Sequence, residues 1–274
     1  MPNFRRVLEG GVVLRRAESP EDYRACQHAQ RRAWGISEDG YVIPVATMVG
    51  ANLHGGLVLG AFLEDGSAVA MSFGFMGRID GRPCLYSQLT GVVPGRQSLG
   101  LGREMKLLQR DFARAEGLPI IAWAFDPLQS GNARFNLVKL GAKVRRYVDD
   151  MYGPRTDALN AGVPTDRVIA EWEVIDEPTP QPEQPAEADH APSLIEVRDG
   201  FPRVVSTPAA DRLRLPIPYD VAPMRRDHPE TAEAWRKAVR QAMKTAFGLG
   251  YEAVGFHRQD DRRCGYILAR RPRA

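Results

Sequence analysis

The stretch from Arg82 to Phe125 constrains the fold more than any other part of this chain. An apolar run from Arg82 to Val93 meets a glycine-bearing turn, Pro94 to Gly102. A segment of helical periodicity follows, and then the nearly all-apolar Ile120 to Phe125. Met105, Leu108, Phe112 and Ala115 recur at spacings of three and four, which predicts one buried helical stripe between Gly102 and Glu116. Gly117-Leu118-Pro119 ends that helix. An all-apolar strand is what a sheet covered on both faces demands, so Ile120 to Phe125 is read as a central strand. Strand, turn, helix and strand make a β-α-β unit, and the last strand should run parallel to the one ending at Val93.

The turn inside this unit has its own chemistry. Successive backbone N–H groups in a glycine turn, with the unsatisfied ones of a first helical turn, converge on an anion, and glycines let that anion approach the main chain closely. A phosphorylated ligand is expected there. A nucleotide-triphosphate loop would need a lysine after the second glycine, where Leu101 stands, and a dinucleotide GxGxxG would need glycine at position 105, occupied by Met105.

Upstream, Ser19-Pro20-Glu21-Asp22 announces a helix by a serine cap, a proline in the first turn and acids near the positive end of the dipole. Tyr23, Cys26, Gln27, Gln30 and Trp34 then share a face. Val12 to Arg15 is a short apolar run, and a short helix is expected around Val45 to Leu53. Gly56 to Leu63, Ser67 to Gly77 and Arg82 to Val93 are separated by Glu64-Asp65-Gly66 and Asp80-Gly81, which predicts a three-strand antiparallel meander. Downstream, a helix is expected over Asn132 to Leu140, ending at Gly141, with strands over Lys143 to Val148 and Arg167 to Ile175. The fold class is α/β, with a mixed, mostly antiparallel sheet flanked by helices.

Glu177 to Pro192 is rich in proline and acid and has no large apolar side chain, so it reads as an exposed, fairly stiff linker. The expected division is 1–176, a linker at 177–192, and a small α+β extension at 193–274. In the extension, His228-Pro229-Glu230 starts a helix with a broad apolar stripe from Trp235 to Phe247, and Tyr251 to Phe256 and Cys264 to Ala269 form a hairpin. One helix and one hairpin hold too little core to stand alone, so the extension should pack on the main domain or on a partner subunit of a homodimer.

The hydrophobic content of 43% is enough for a sizeable core. A formal net charge of +3 favours neither nucleic acid nor an anionic membrane, so anion specificity must be local. Cys26, Cys84 and Cys264 are odd in number and far apart, which fits a reducing cytoplasm. Met1 to Arg16 has no continuous apolar segment of the kind a secretory leader carries, and no run is long enough for a membrane span. No His or Cys pair has metal-ligand spacing; Cys26 and His28 face different sides of a helix. No metal is expected.

Val93-Pro94 followed by Gln97-Ser98-Leu99-Gly100-Leu101-Gly102 resembles the acyl-coenzyme A signature Q/R-x-x-G-x-G/A of the GNAT superfamily of N-acetyltransferases. The meander, the following helix and the segment from Asn132 to Gly141 fit that family's order over about residues 10–176. The whole chain looks like an extended branch of predicted acetyltransferases. The resemblance implies a GNAT-like sheet with a cleft where two strands splay, and acetyl-CoA or another short acyl-CoA as cosubstrate. It implies transfer of an acetyl, succinyl or other short acyl group to a primary amine, such as that of an amino acid. Val92, Val93, Arg96, Gln97, Ser98, Leu99, Gly100, Leu101, Gly102 and Arg103 would hold the coenzyme. A noncatalytic coenzyme-binding or protein-interaction module of the same fold is the alternative.

Thioester aminolysis needs a neutral amine, a polarised carbonyl and a proton for the departing thiolate. The strand amides near Val92 and Val93 would bind the thioester or its pantetheine arm. Strict alternation puts Tyr86, Gln88 and Thr90 on one face of their strand and Ser87 and Leu89 on the other. The family's frequent leaving-group tyrosine falls at Leu137, which cannot protonate sulfur, so Tyr147 or Tyr152 is the substitute donor, with an ordinary place in strand or turn as the alternative. Asp126 follows the central strand, where it would orient an ammonium group or take its proton, or else hold the Pro127 turn. Asn132 and Asn136 lie one turn apart and would touch the coenzyme arm or the acceptor, with helix capping the alternative for Asn132. Arg145, Arg146 and Arg167 would read a carboxylate, or else are exposed strand charge.

Overall fold

Ser19 accepts a hydrogen bond from the Asp22 backbone N–H while the Asp22 carboxylate returns to the Ser19 backbone, a reciprocal cap with Pro20 in the first turn. The first long helix therefore begins where the sequence places it. The computed structural model describes residues 4–155, 162–174, 191–258 and 263–271. The chain divides into two compact units, 1–123 with 154–163 and 173–177, and 124–153 with 164–172 and 178–274. One boundary falls inside a strand, between Trp123 and Ala124, and the last falls between Glu177 and Pro178, at the start of the proline-rich run. That run lies outside the described residues except for Ala191 and Pro192.

In the first unit, β1 (Arg5–Val7) pairs antiparallel with β2 (Val13–Arg16), and α1 (Pro20–Trp34) and α2 (Val45–Leu53) follow. The meander is β3 (Leu57–Phe62), β4 (Ala68–Ile79) and β5 (Arg82–Val92). Asp80 and Gly81 both have positive φ, 49° and 76°, which is the mirror-image turn that lets two twisted strands meet at a two-residue loop. A 3-10 turn, Gln97–Leu99, leads into α3 (Leu101–Ala115) and then β6 (Ile120–Phe125). β5 and β6 are parallel, with Cys84 opposite Ile120 and Tyr86 opposite Ala122, as the β-α-β reading requires.

Helices cover both faces of this sheet. Tyr23, Cys26, Met48, Val58, Met71, Phe73 and Val93 form one apolar cluster under α1 and α2. Leu101, Met105, Leu108 and Phe112 are buried where α3 packs on β3, β4 and β5. Each such side chain contributes about 1.5–3 kcal/mol of transfer free energy. Gly91 lies beneath the Trp34 ring, and a Cβ there would collide with the indole. This glycine is a packing requirement. β1 carries little apolar pattern of its own, and Arg6 is held by Glu104 at 2.7 Å and Asp111 at 2.6 Å on α3.

In the second unit, the helix expected at Asn132 to Leu140 is α4 (Ser130–Arg134) continued by a π turn, Phe135–Lys139. The Leu140 N–H donates to Phe135 O at 3.1 Å, the wider spacing of a π turn. β7 (Lys143–Val148) and β8 (Arg167–Glu173) are antiparallel. β9 (Ile195–Arg198) and β10 (Phe201–Val204) form a separate hairpin through Asp199-Gly200. Then come β11 (Arg212–Pro218), α5 (Val221–Asp227), α6 (Pro229–Gly248), β12 (Tyr251–Arg258) and β13 (Arg263–Arg270).

The strand order here is β8-β7-β12-β13-β11, so the extension continues the sheet from β7, with Ala253 of β12 opposite Val144. The extension is richer than one helix and one hairpin. β11 alternates Leu213, Leu215 and Ile217 inward, but Pro216 and Pro218 mask the pattern. As the last strand in the order it tolerates prolines, because one side needs no ladder donor. Trp235, Val239, Ala242, Met243, Ala246 and Phe247 make the buried stripe of α6. No helix among the described residues is long and apolar enough to cross a membrane.

Candidate functional site

The first unit holds a fork. Parallel pairing of β5 with β6 stops at Tyr86 and Ala122, and one residue later β5 carries a bulge. Ser87 pairs with Gly74 and Leu89 with Phe73, leaving Gln88 as the extra residue. A bulge bends and twists its strand, so β5 leaves β6 where the ladder is broken. It also overturns the alternation expected on this strand. Ser87 and Thr90 share a face, with their hydroxyls 3.5 Å apart and Thr90 Oγ1 3.1 Å from Ser72 Oγ, while Leu89 joins the cluster under α1.

Beyond the fork, Val93 donates its N–H to Val69 O at 2.9 Å, and its side chain is in the apolar cluster. That takes Val93 out of the ligand-facing set. Val92, one residue earlier in extended backbone, turns its N–H to the side away from β4. The turn after it is exposed from Pro94 to Gln97 and again at Leu99 and Gly100. Arg96 N–H donates to Val93 O at 3.1 Å, and Leu99 N–H to Arg96 O at 3.3 Å. Gly100 has φ of +69°, and its carbonyl receives both Arg103 N–H at 2.9 Å and Glu104 N–H at 3.1 Å. The N–H groups of Leu101 and Gly102 precede that first acceptor and, as at any helix start, find no carbonyl in their own helix.

A pyrophosphate suits this turn on two counts. A Cβ placed on Gly102 meets nothing within 4 Å, so the missing side chain is not demanded by the protein's own packing. Among the described residues, the exposed Arg96 side chain makes no ion pair or hydrogen bond, whereas Arg103 holds Glu104 at 3.2 Å. Gln97 and Leu99 are presented by the 3-10 turn that also contains Ser98. Leu101 turns its side chain into the core and can contribute only backbone.

Sequence reasoning missed the polar layer beneath the fork. Lys106 of α3 is 4% exposed; its Nζ donates to Ser87 Oγ at 3.0 Å and lies 3.8 Å from the centre of the Trp123 ring. Gln109 Nε2 donates to Ser87 Oγ at 2.9 Å and also bonds Ser72 Oγ, while Gln109 Oε1 is buried with no partner among the described residues. Burial alone pulls the Lys106 ammonium down to about 7. A lysine on the apolar stripe, between Met105 and Leu108 with Gln109 a turn away, was the available signal.

The remaining predicted residues belong to the second unit. The Asp126 carboxylate accepts Leu128 N–H at 2.9 Å, Arg225 Nη2 at 3.0 Å and Arg236 Nη2 at 3.0 Å. It thus holds the Pro127 turn and ties α5 and α6 to it. Tyr147 donates its hydroxyl to Asp166 at 2.5 Å, and Arg240 grips the same carboxylate at 2.7 and 2.9 Å. Burial, then the bond to Asp166, pushes the Tyr147 phenol far above its ordinary value. Burial opposes ionisation of Asp166, but the bonds from Arg240 and Tyr147 prevail and hold its carboxyl low. Tyr152 is 37% exposed, with its ring under Arg167 at 5.3 Å.

Gln129 occupies the N-cap position of α4, so Asn132 is not the cap; it is exposed, while Asn136 and Leu137 are buried in the π turn. Arg145 bridges Glu171 and Glu252, each at 2.7 Å, and Arg167 donates to Asp166 O at 2.8 Å. Arg146 lies 3.9 Å from Glu171. Arg145 thus ties β7 to β8 and β12, and Arg167 is buried, so neither is the exposed strand charge that was the alternative. All three cysteines are buried and free, and among the described residues no group of three His, Cys, Asp or Glu side chains is placed to hold a metal.

No protein-family profile matches the chain, and no curated protein does. Solved structures do. A GNAT superfamily phosphinothricin acetyltransferase from Sinorhizobium meliloti, solved with acetyl-CoA, is 14% identical with a TM-score of 0.47, over 63% of this chain and 96% of that one. The protein yncA from Salmonella typhimurium, described as an acetyltransferase and solved with acetyl-CoA, is 20% identical with a TM-score of 0.47, over 62% and 98%. An IAA acetyltransferase from Bacillus cereus is 17% identical with a TM-score of 0.44, over 59% and 99%. Similarity at this level says nothing of substrate.

Proposed function

We propose that this chain is a coenzyme A-dependent acyltransferase of the GNAT type, moving an acetyl or other short acyl group, succinyl included, to a primary amine such as that of an amino acid. The observation that carries the reading is the fork in the first unit. A bulged strand leaves its parallel neighbour and runs directly into an exposed turn, with free helix-start amides and open space at Gly102. From Ser87 to Val93 the departing strand offers about 20 Å of backbone at roughly 3.3 Å per residue, a length that suits an extended pantetheine arm. Gln97 to Gly102 would hold the pyrophosphate through backbone N–H groups, Arg96 and Arg103 would add charge, and the Val92 N–H faces the arm.

The test is coenzyme binding. Replacing Gly102 by valine should weaken acetyl-CoA binding at least tenfold in calorimetric titration while the urea midpoint stays close to wild type. Unchanged affinity in the folded variant would defeat the assignment. A second reading, binding without turnover, draws on Leu137 and on the Tyr147 hydroxyl already donated to Asp166. Mass analysis of copurified coenzyme, followed by product detection across amino acids and polyamines, separates the two. An N-acylated product supports the enzyme, and binding without product across the panel supports the module.

A further inference from the structure

Lys106 occupies the point where the fork opens. Ser87 is the first β5 residue past the last parallel pair and Trp123 the first β6 residue past it, and the Lys106 ammonium touches both. It has three donors to satisfy. Ser87 Oγ takes one and the indole face stabilises the charge, but among the described residues no carboxylate pairs with it. Gln109 and Ser72 complete its polar surroundings, and both are neutral. No charged group on α3, β3, β4, β5 or β6 influences its titration, which burial alone controls. An uncompensated buried cation is costly, and an anion arriving in the fork would relieve that cost.

We propose that Lys106 is a catalytic residue of the acyl transfer, pairing with the coenzyme A thiolate as it forms and giving it a proton. The inference rests on the acyl-transfer reading, and it supplies the donor that Leu137 cannot provide. As the amine nitrogen bonds to the thioester carbon, the carbon–sulfur bond breaks and its electron pair stays on sulfur. Lys106 passes a proton to that sulfur, yielding the free thiol. The amine nitrogen loses its extra proton to solvent, and solvent water returns one to Lys106, so protons and charge balance over a turnover. A group that titrates near neutrality is well matched to both halves of this cycle.

The experiment uses the full chain with coenzyme A and acetyl-CoA as probes and needs no acceptor. In wild type, the ultraviolet thiolate absorbance of bound coenzyme A should appear at lower pH than that of free coenzyme. Affinity for coenzyme A relative to acetyl-CoA should rise about tenfold as the thiol ionises. In Lys106→Met both effects should vanish while acetyl-CoA affinity stays within about threefold. Identical thiol ionisation in bound and free coenzyme overturns the proposal from wild type alone, whether or not the variant folds. So does an equal loss of both ligands in a folded Lys106→Met, or a loss confined to succinyl-CoA, which would make Lys106 a carboxylate reader. If wild type binds neither probe, it is the acyl-transfer reading that fails.

Discussion

Single residues decide whether the fork is only a packing feature, and Lys106 is the one whose energetics can be isolated. Burial places its folded pKa near 7, below the value of 10.5 it has in the open chain. Between those values the unfolded chain carries a proton that the folded protein lacks, so stability should rise with pH across the interval, by at most about 1.4 kcal/mol per unit. Urea denaturation of wild type and Lys106→Met from neutral to alkaline pH tests this; the variant should lack the added slope, and parallel curves would contradict it. Lys106 was passed over because periodicity detects apolar stripes and counts a polar residue beside one as surface, although its place between Met105 and Leu108 was a signal. The turn that leads to Gly102 was legible because it depends on local backbone, but Gly91 had a second meaning, the Trp34 ring over it, that no local pattern contains. Asp126 and Tyr147 were read as candidate catalytic residues, but the partners that engage them, Arg225, Arg236 and Asp166, lie too far along the chain for local pattern to show.

Elements were read best where their ends carry their own chemistry. α1 starts at its serine cap and Pro20, β6 spans Ile120–Phe125 as read, and α6 begins at Pro229. Because the Ser19 hydroxyl and the Asp22 carboxylate satisfy each other's backbone donors, Ser19→Ala should cost about 1 kcal/mol of stability. Urea denaturation with an unchanged m-value would check it, and a cost near zero would show that the Arg15–Asp22 ion pair holds the turn alone. The bulge at Gln88 and the π turn at Phe135–Lys139 were not legible, because each adds one residue to a ladder without any compositional mark. Their effect is large. A one-residue shift exchanges the faces of everything beyond it, which moves Thr90 onto the side of Ser87 and Lys106.

At the scale of the whole molecule, residues after the proline-rich run complete the second unit. β12 continues the sheet from β7, and Arg236 and Arg240 neutralise Asp126 and Asp166. A chain ending at residue 176 would leave the β7 edge open and strand two carboxylates without their cations; removing one partner of such a pair costs about 3–5 kcal/mol. That fragment should be insoluble or show no cooperative unfolding by circular dichroism, and a soluble, cooperatively folding 1–176 would refute the argument. By itself the sequence determined the meander, the β-α-β crossover and the glycine-bearing turn between strand and helix, since strand alternation, helix caps and glycine turns are governed by neighbours a few residues apart. Tertiary structure alone decided where β5 leaves β6, which cation lies at that point, and which carboxylates are already engaged by arginines. Those facts depend on residues distant in the chain that meet only when the sheet and its helices close around them.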